Sequence, residues 1–162
     1  MKYIVSSLFG ASIILSLSAG ISGIVWIYYN GVYIKTSQFA FYLSICFMST
    51  FVSSCYLFIK HSHKFTISQY TESINNMACV LSFIITLLWV SASICISLLT
   101  KDCLDIKTSE TDICSGATVN IILAFTSLII WFSILWISIK RLLEAYRRVP
   151  ALEAQASYIL NN

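Results

Sequence analysis

Two cysteines, Cys103 and Cys114, flank ten residues within the polar stretch Thr100–Gly116, between two long apolar runs. That separation lets the chain reverse and bring the two Cα atoms within disulfide reach. A bridge closing so short a loop would contribute about 3 kcal/mol. The alternative is two free thiols. Zinc is a weaker reading, because it wants four ligands and this stretch has no histidine. The absence of a Cys-x-x-Cys spacing argues against thiol exchange as an activity. The other four cysteines, Cys46, Cys55, Cys79 and Cys95, lie inside apolar runs. There a thiol is read as a small apolar filler. Palmitoylation is the alternative for Cys55 and Cys79, which lie nearest the more basic side. His61 and His63, in Lys60-His61-Ser62-His63-Lys64, read as two exposed side chains on a loop, with metal binding or pH sensing as the functional alternative. A lipid-modifying enzyme needs His, Asp or Arg clustered near the interface. These two histidines, with Glu72 as their nearest acid, are the only candidates, so no catalytic residue, metal site or cofactor is assigned.

The elements that would position these groups are unusual. The chain has 162 residues, 58% hydrophobic and 10% charged. A soluble domain carries about 25% charged residues, so too few remain here to coat a surface in water. The charges are also segregated. No Asp, Glu, Lys or Arg occurs in Tyr3–Ile34, Thr36–Ile59, Ser73–Thr100 or Ile113–Ile139. Each gap exceeds the roughly 20 residues a helix needs to cross a bilayer's hydrocarbon core. Together these features exclude a soluble enzyme, a disordered tail and a nucleic-acid-binding domain. Backbone groups in lipid must be satisfied within the segment, so helices are expected, and runs such as Ile121–Ile130 lack the alternation of a barrel strand. The expected spans are Tyr3–Tyr28, Phe39–Ile59, Asn76–Leu99 and Ala117–Ile139, joined by loops at Asn30–Ser37, Lys60–Ile74 and Thr100–Gly116. The fold class is all-α, an antiparallel four-helix transmembrane bundle over residues 1–139, with a tail over 140–162. Met1-Lys2, an apolar run and Ser18-Ala19-Gly20 also resemble a cleaved signal peptide. The run continues past Gly20 to Trp26, Tyr28 and Tyr29, an aromatic edge that marks the end of a span, so an uncleaved first span is preferred.

Basic residues near span ends set the orientation. Lys2, Lys60, Lys64, Lys140, Arg141, Arg147 and Arg148 gather on one side, against Lys35, Lys101 and Lys107 on the other. Both termini are therefore expected in the cytosol, of an integral protein of the secretory pathway or plasma membrane. The third loop, with Asp102, Asp105, Glu110 and Asp112, then faces the oxidising side, where a disulfide is stable. No Asn-x-Ser/Thr sequon exists to be glycosylated. The tail starts amphipathic: Ile139, Leu142, Leu143, Tyr146 and Val149 fall on one helical face, with Lys140, Arg141, Arg147 and Arg148 on the rest. Those four cations read as contacts for anionic headgroups, or else as a plain stop-transfer signal. Pro150 is expected to break or restart the helix.

No span contains an ionisable carboxylate, Lys, Arg or His. Pumps and ion pathways place such groups at membrane depth, which argues against a transporter, although a hydrophobic-gated pore stays open. Asn120, towards the outer end of span four, is expected at an interhelical hydrogen bond or at an interface. In span one, Ser12, Ser16 and Gly20 recur every fourth residue, and Ala19 and Gly23 repeat the pattern one face over. Small residues let helix backbones approach. The stripe serves packing within the bundle or, alternatively, homo- or hetero-oligomer formation through span one.

The span-three to span-four region carries Ser82-Phe83 and Trp89-Val90-Ser91-Ala92. Cys103 follows, then Cys114-Ser115-Gly116-Ala117 leading to Phe125 and Trp131. With four spans, cytosolic termini, a short first external loop and two cysteines in the second, the chain resembles the MARVEL-domain family, its small fungal members most of all. Claudin-like proteins are a poorer match, because Asn30–Ser37 is short and lacks their Trp and Cys residues. The resemblance implies a non-catalytic protein that organises membrane microdomains, sterol-rich ones among them, or supports vesicle traffic. Its partners would be membrane lipids, and its cysteine pair corresponds to Cys103 and Cys114. A small transporter or channel subunit is the alternative function.

Overall fold

The protein is described from a computed structural model. It covers residues 2–30, 36–62, 68–105 and 111–160, with side-chain surroundings for 4–28, 37–61, 76–101 and 116–147. Four helices account for all of the described backbone: α1 (Lys2–Asn30), α2 (Thr36–Ser62), α3 (Ser68–Asp105) and α4 (Thr111–Leu160). Each contains a stretch long and apolar enough to cross a membrane: Ile4–Tyr28, Ser37–His61, Asn76–Lys101 and Gly116–Arg147. The chain is an all-α integral membrane protein. Its helices form a ring in chain order, with α4 closing onto α1, and among the described residues the diagonal pairs have no backbone contact.

On every helix a seam of buried residues runs in alternating three- and four-residue steps, with Gly20, Ile45, Thr86, Ser93, Thr100 and Leu135 buried beside it. On α1 the seam residues are Val5, Phe9, Ser12, Ser16, Ala19, Gly23 and Trp26, and on α2 Phe39, Tyr42, Cys46, Ser49 and Ser53. On α3 they are Ala78, Ser82, Ile85, Trp89, Ala92, Ile96 and Leu99, and on α4 Ala117, Asn120, Ala124, Ser127, Trp131, Ile134 and Ser138. A 3.5-residue period keeps one seam facing its neighbours and belongs to left-handed bundles with interlocking side chains. Here the seam is marked by small and aromatic residues, not by hydrophobicity, because the lipid-facing sides are as apolar as the core. Ile14, Phe51, Phe83 and Ile129 all point outward.

Neighbouring helices run antiparallel. Down α1 against α2, Phe9 stacks on Tyr56, Ser12 meets Ser53, Ser16 meets Ser49, and Trp26 meets Phe39. The small-residue stripe of span one is therefore used for packing within the bundle. Ser12, Ser16, Ala19, Gly20 and Gly23 are all buried, and the exposed residues of α1 include Ile14, Leu17, Ile21 and Ile24. Two glycines are required by close approach. A Cβ on Gly23 would lie 2.9 Å from the Phe39 ring, and one on Gly116 would lie 2.5 Å from Trp26 Cδ1.

Three expectations are corrected. The helices overrun the membrane, so the links shrink to residues near 31–35, 63–67 and 106–110. Lipid thickness fixes where apolar residues stop, but a helix ends only where its backbone loses helical bonding. Cys103 and Cys114 consequently belong to the last turn of α3 and the first turn of α4, not to a loop. Finally, α4 continues through Pro150 to Leu160 without interruption. Proline removes one backbone donor, here the one that would serve the Tyr146 carbonyl. The following Ala151, Leu152, Glu153, Ala154 and Gln155 are strong helix formers that sustain the rest of the ladder.

Candidate functional site

Hydroxyls in lipid need acceptors, and most here use their own helix. Ser44, Thr50, Thr86, Ser91, Ser93, Ser97, Thr126 and Ser133 each donate to the carbonyl four residues back. Such bonding hides the polar atom and leaves an apolar exterior. A shallow groove of about 250 Å³ between α3 and α4 shows the result. It contains Ser93 and Ser97, yet their hydroxyls are turned to the backbone and the lining is otherwise Val90, Ile94, Leu98, Phe125 and Leu128.

The middle of the bundle is different. Trp131 Nε1 donates to Ser49 Oγ at 2.8 Å, and Trp89 Nε1 donates to the same oxygen at 3.2 Å. Ser16 Oγ lies 2.9 Å from it in a third hydrogen bond. A hydroxyl oxygen has two lone pairs and one hydrogen. The indole N–H groups take both lone pairs, so the hydrogen shared by the two serines comes from Ser49 and is accepted by Ser16. Ser49 thus completes its full valence using α1, α3 and α4 at once. A buried indole costs free energy unless its N–H finds an acceptor, and with no carboxylate in any span a serine supplies it.

Aromatic rings extend this hub along the bundle axis. Towards the end of the bundle that holds the α1–α2 link, Trp89 meets Tyr42 edge-on at 6.2 Å, Tyr42 neighbours Phe39, and Phe39 meets Trp26. Towards the other end Trp131 meets Phe9 edge-on at 5.7 Å, and Phe9 stacks on Tyr56 at 4.0 Å. Asn120 sits beside these rings, fully buried. Its Nδ2 donates to the Gly116 carbonyl at 2.9 Å, and Tyr42 Oη donates to its oxygens at 3.5 Å. The interhelical role expected for Asn120 is what the structure has. Ser127 Oγ is buried without a hydrogen-bond partner.

At the basic end, Lys60 Nζ donates to Ser6 Oγ at 2.7 Å and lies 5.7 Å from the centroid of the Tyr56 ring. Arg141 lies on α4, ten residues beyond Trp131, as Lys60 lies eleven beyond Ser49 on the parallel α2. Both cations are half-buried, whereas Lys140 and Arg147 are exposed. The apolar residues of the tail's first turns, Ile139, Leu143 and Tyr146, are exposed as well.

Of the expected site residues, Arg141 is half-buried and Lys140 and Arg147 are exposed. The surroundings of Arg148, His63, Cys103 and Cys114 lie outside the described residues, so the disulfide stays an expectation. Cys46, Cys55, Cys79 and Cys95 are free thiols within the bundle, as fillers should be, and His61 is exposed. Among the described residues, no three His, Cys, Asp or Glu side chains gather where a metal could sit. Sequence reasoning missed Ser49 and Lys60. Two tryptophans in charge-free spans were the available sign that an inward hydroxyl must exist. No family model matches the chain, and neither does any curated protein or solved structure.

Proposed function

We propose that this is a non-catalytic membrane protein that organises membrane microdomains or supports vesicle traffic, as the resemblance to MARVEL-domain proteins implies. One observation carries the reading: an aromatic column tied at Ser49 runs between the four helices, and among the described residues no Asp, Glu, His, Lys or Arg side chain is buried beside it. A transporter or channel needs a path through that space. An organising protein needs only a stable apolar exterior with charged ends, where Lys140, Arg141, Arg147 and Arg148 contact anionic headgroups and sterols or acyl chains cover the sides.

The test is reconstitution of the full chain into vesicles that separate into ordered and disordered lipid phases. Enrichment in one phase, with solute and proton flux no greater than in empty vesicles, supports the proposal. Flux well above that background, abolished by a substitution in the column, would replace it with the transporter alternative.

A further inference from the structure

The groove between α3 and α4 opens on the lipid side of the bundle, and its depth and hydrogen-bonding capacity select among lipids. We propose that it is a sterol site, in which Ser97 accepts a hydrogen bond from the sterol hydroxyl. The inference rests on the reading above that lipid covers the sides of the bundle, and it assigns one class of lipid to one place.

The argument begins with depth. The membrane-crossing stretch of α3, Asn76–Lys101, has 26 residues and is about 39 Å long. Centred on a hydrocarbon core of about 30 Å, it leaves roughly 4–5 Å of helix beyond each boundary. Ser97 comes four residues before Lys101, about 6 Å along the axis, so it lies at the hydrocarbon boundary. Val90, at the other end of the groove, lies about 10 Å deeper. The groove therefore runs from the boundary towards the midplane, within one leaflet.

Shape and hydrogen bonding come next. Ser93 and Ser97 are small, and the larger Val90, Ile94 and Leu98 of α3 and Phe125 of α4, all exposed, rise around them. Val90 and Ile94 are stiff at χ1 and Phe125 is a flat ring, so the lining is set in advance. A fused-ring body gives up no chain freedom on entering, whereas an acyl chain gives up its rotamers. The Ser97 hydroxyl donates to the Ser93 carbonyl at 2.7 Å, which leaves only its lone pairs for a ligand. The ester carbonyls of glycerophospholipids at this depth are also acceptors and gain nothing from it. A sterol hydroxyl is a donor at the boundary, with its rings directly below.

The full chain is reconstituted in phosphatidylcholine vesicles with a small fraction of a cholesterol analogue that carries a diazirine on its rings. After illumination, mass spectrometry maps the labelled peptides. Label should concentrate in residues 90–98 and 125–128, and added cholesterol should displace it. The matching 3-keto sterol accepts hydrogen bonds but cannot donate one, and should compete about fivefold less well. In Ser97→Ala the two competitors should become equal while the label stays on the same peptides. Ser97→Leu fills the groove and should abolish the label, and Ser91→Leu, exposed on α3 outside the groove, should keep it. If Ser97→Leu fails to fold, the two competitors on the unaltered chain decide. Label spread evenly over all four helices overturns the site and leaves the general lipid covering standing. Label that both sterols displace equally from the unaltered chain, or that sphingomyelin displaces as well as cholesterol does, overturns the proposal too. Groove label without enrichment in either lipid phase would overturn the microdomain reading alone.

Discussion

Trp131 on α4 and Ser49 on α2 are joined across the diagonal of the bundle by a 2.8 Å hydrogen bond, although their helices have no backbone contact among the described residues. Tyr42 and Asn120 span the same diagonal nearer the end that holds Trp26. These cross-links fix how α2 and α4, which run parallel, are placed along one another. A slide along either axis would part both pairs.

Ser49→Ala should therefore be the costliest serine substitution in the chain. It leaves two indole N–H groups and the Ser16 hydroxyl without their shared partner, a loss of about 1–3 kcal/mol. Ser53→Ala breaks one longer bond, to Ser12 at 3.2 Å, and should cost about 0.6 kcal/mol, the average for such bonds in membranes. Ser127→Ala should be neutral or stabilising, since its hydroxyl is buried without a partner. Reversible unfolding in mixed micelles checks the order, and equal effects for Ser49 and Ser127 would refute the hub.

Gly116→Ala should displace Trp26, because the added carbon would fall 2.5 Å from the indole. Overpacking of this kind costs about 1–3 kcal/mol. At Gly20 the same change meets only Cys46 Cβ at 3.6 Å, an ordinary contact, and should be tolerated. The two midpoints of thermal unfolding in detergent give the comparison.

Cys103 and Cys114 should form a disulfide while Cys46, Cys55, Cys79 and Cys95 remain reduced. The pair occupies the facing ends of α3 and α4, joined by a short link, so a bridge would clamp that corner. Cys103→Ala, Cys114→Ala and the double variant should be alike, since each loses the same bond. Mass spectrometry of the non-reduced protein from the secretory pathway is decisive, and alkylation of both thiols without reduction would end the idea.

A C-terminal tag should be protected from protease in intact cells and cleaved once the membrane is permeabilised. The expectation follows from Lys2, Lys60, Lys64, Lys140, Arg141, Arg147 and Arg148 gathering at one side. Digestion on intact cells that display the protein at their surface would invert the assignment.

The spans were legible because charge is expelled from hydrocarbon. Asn76 is the first residue of the third span by either reading, and Tyr28 closes the first. Helix ends in water were not legible, since Thr100, Lys101 and Asp102 suit a loop or a helix equally well and local backbone bonding decides. Within the bundle, Ser12 and Ser16 were visible as a small-residue stripe, but the seam continuing to Phe9 and Trp26 was not. Apolar residues lie on every face of these helices, so hydrophobicity carries no phase. Ser49 was hidden for a related reason: serines are frequent in these spans and most bond to their own backbone, so only the three-dimensional meeting of two indoles singles one out. Lys60 looked like a topology charge, and nothing in the sequence announces that Ser6 and Tyr56 would hold it.

The uninterrupted α4 makes the last helix a lever. Fifty residues at 1.5 Å each give a rod of about 75 Å, against a hydrocarbon layer of about 30 Å. Beyond Arg147, where the membrane-crossing stretch ends, about 20 Å of helix continues to Leu160. A helix answers a thinner or thicker bilayer by changing its tilt. A change of ten degrees would swing the far end of this arm by about 3 Å. Bilayer thickness, a property spread over many lipids, is thereby turned into the displacement of a single point well away from the membrane.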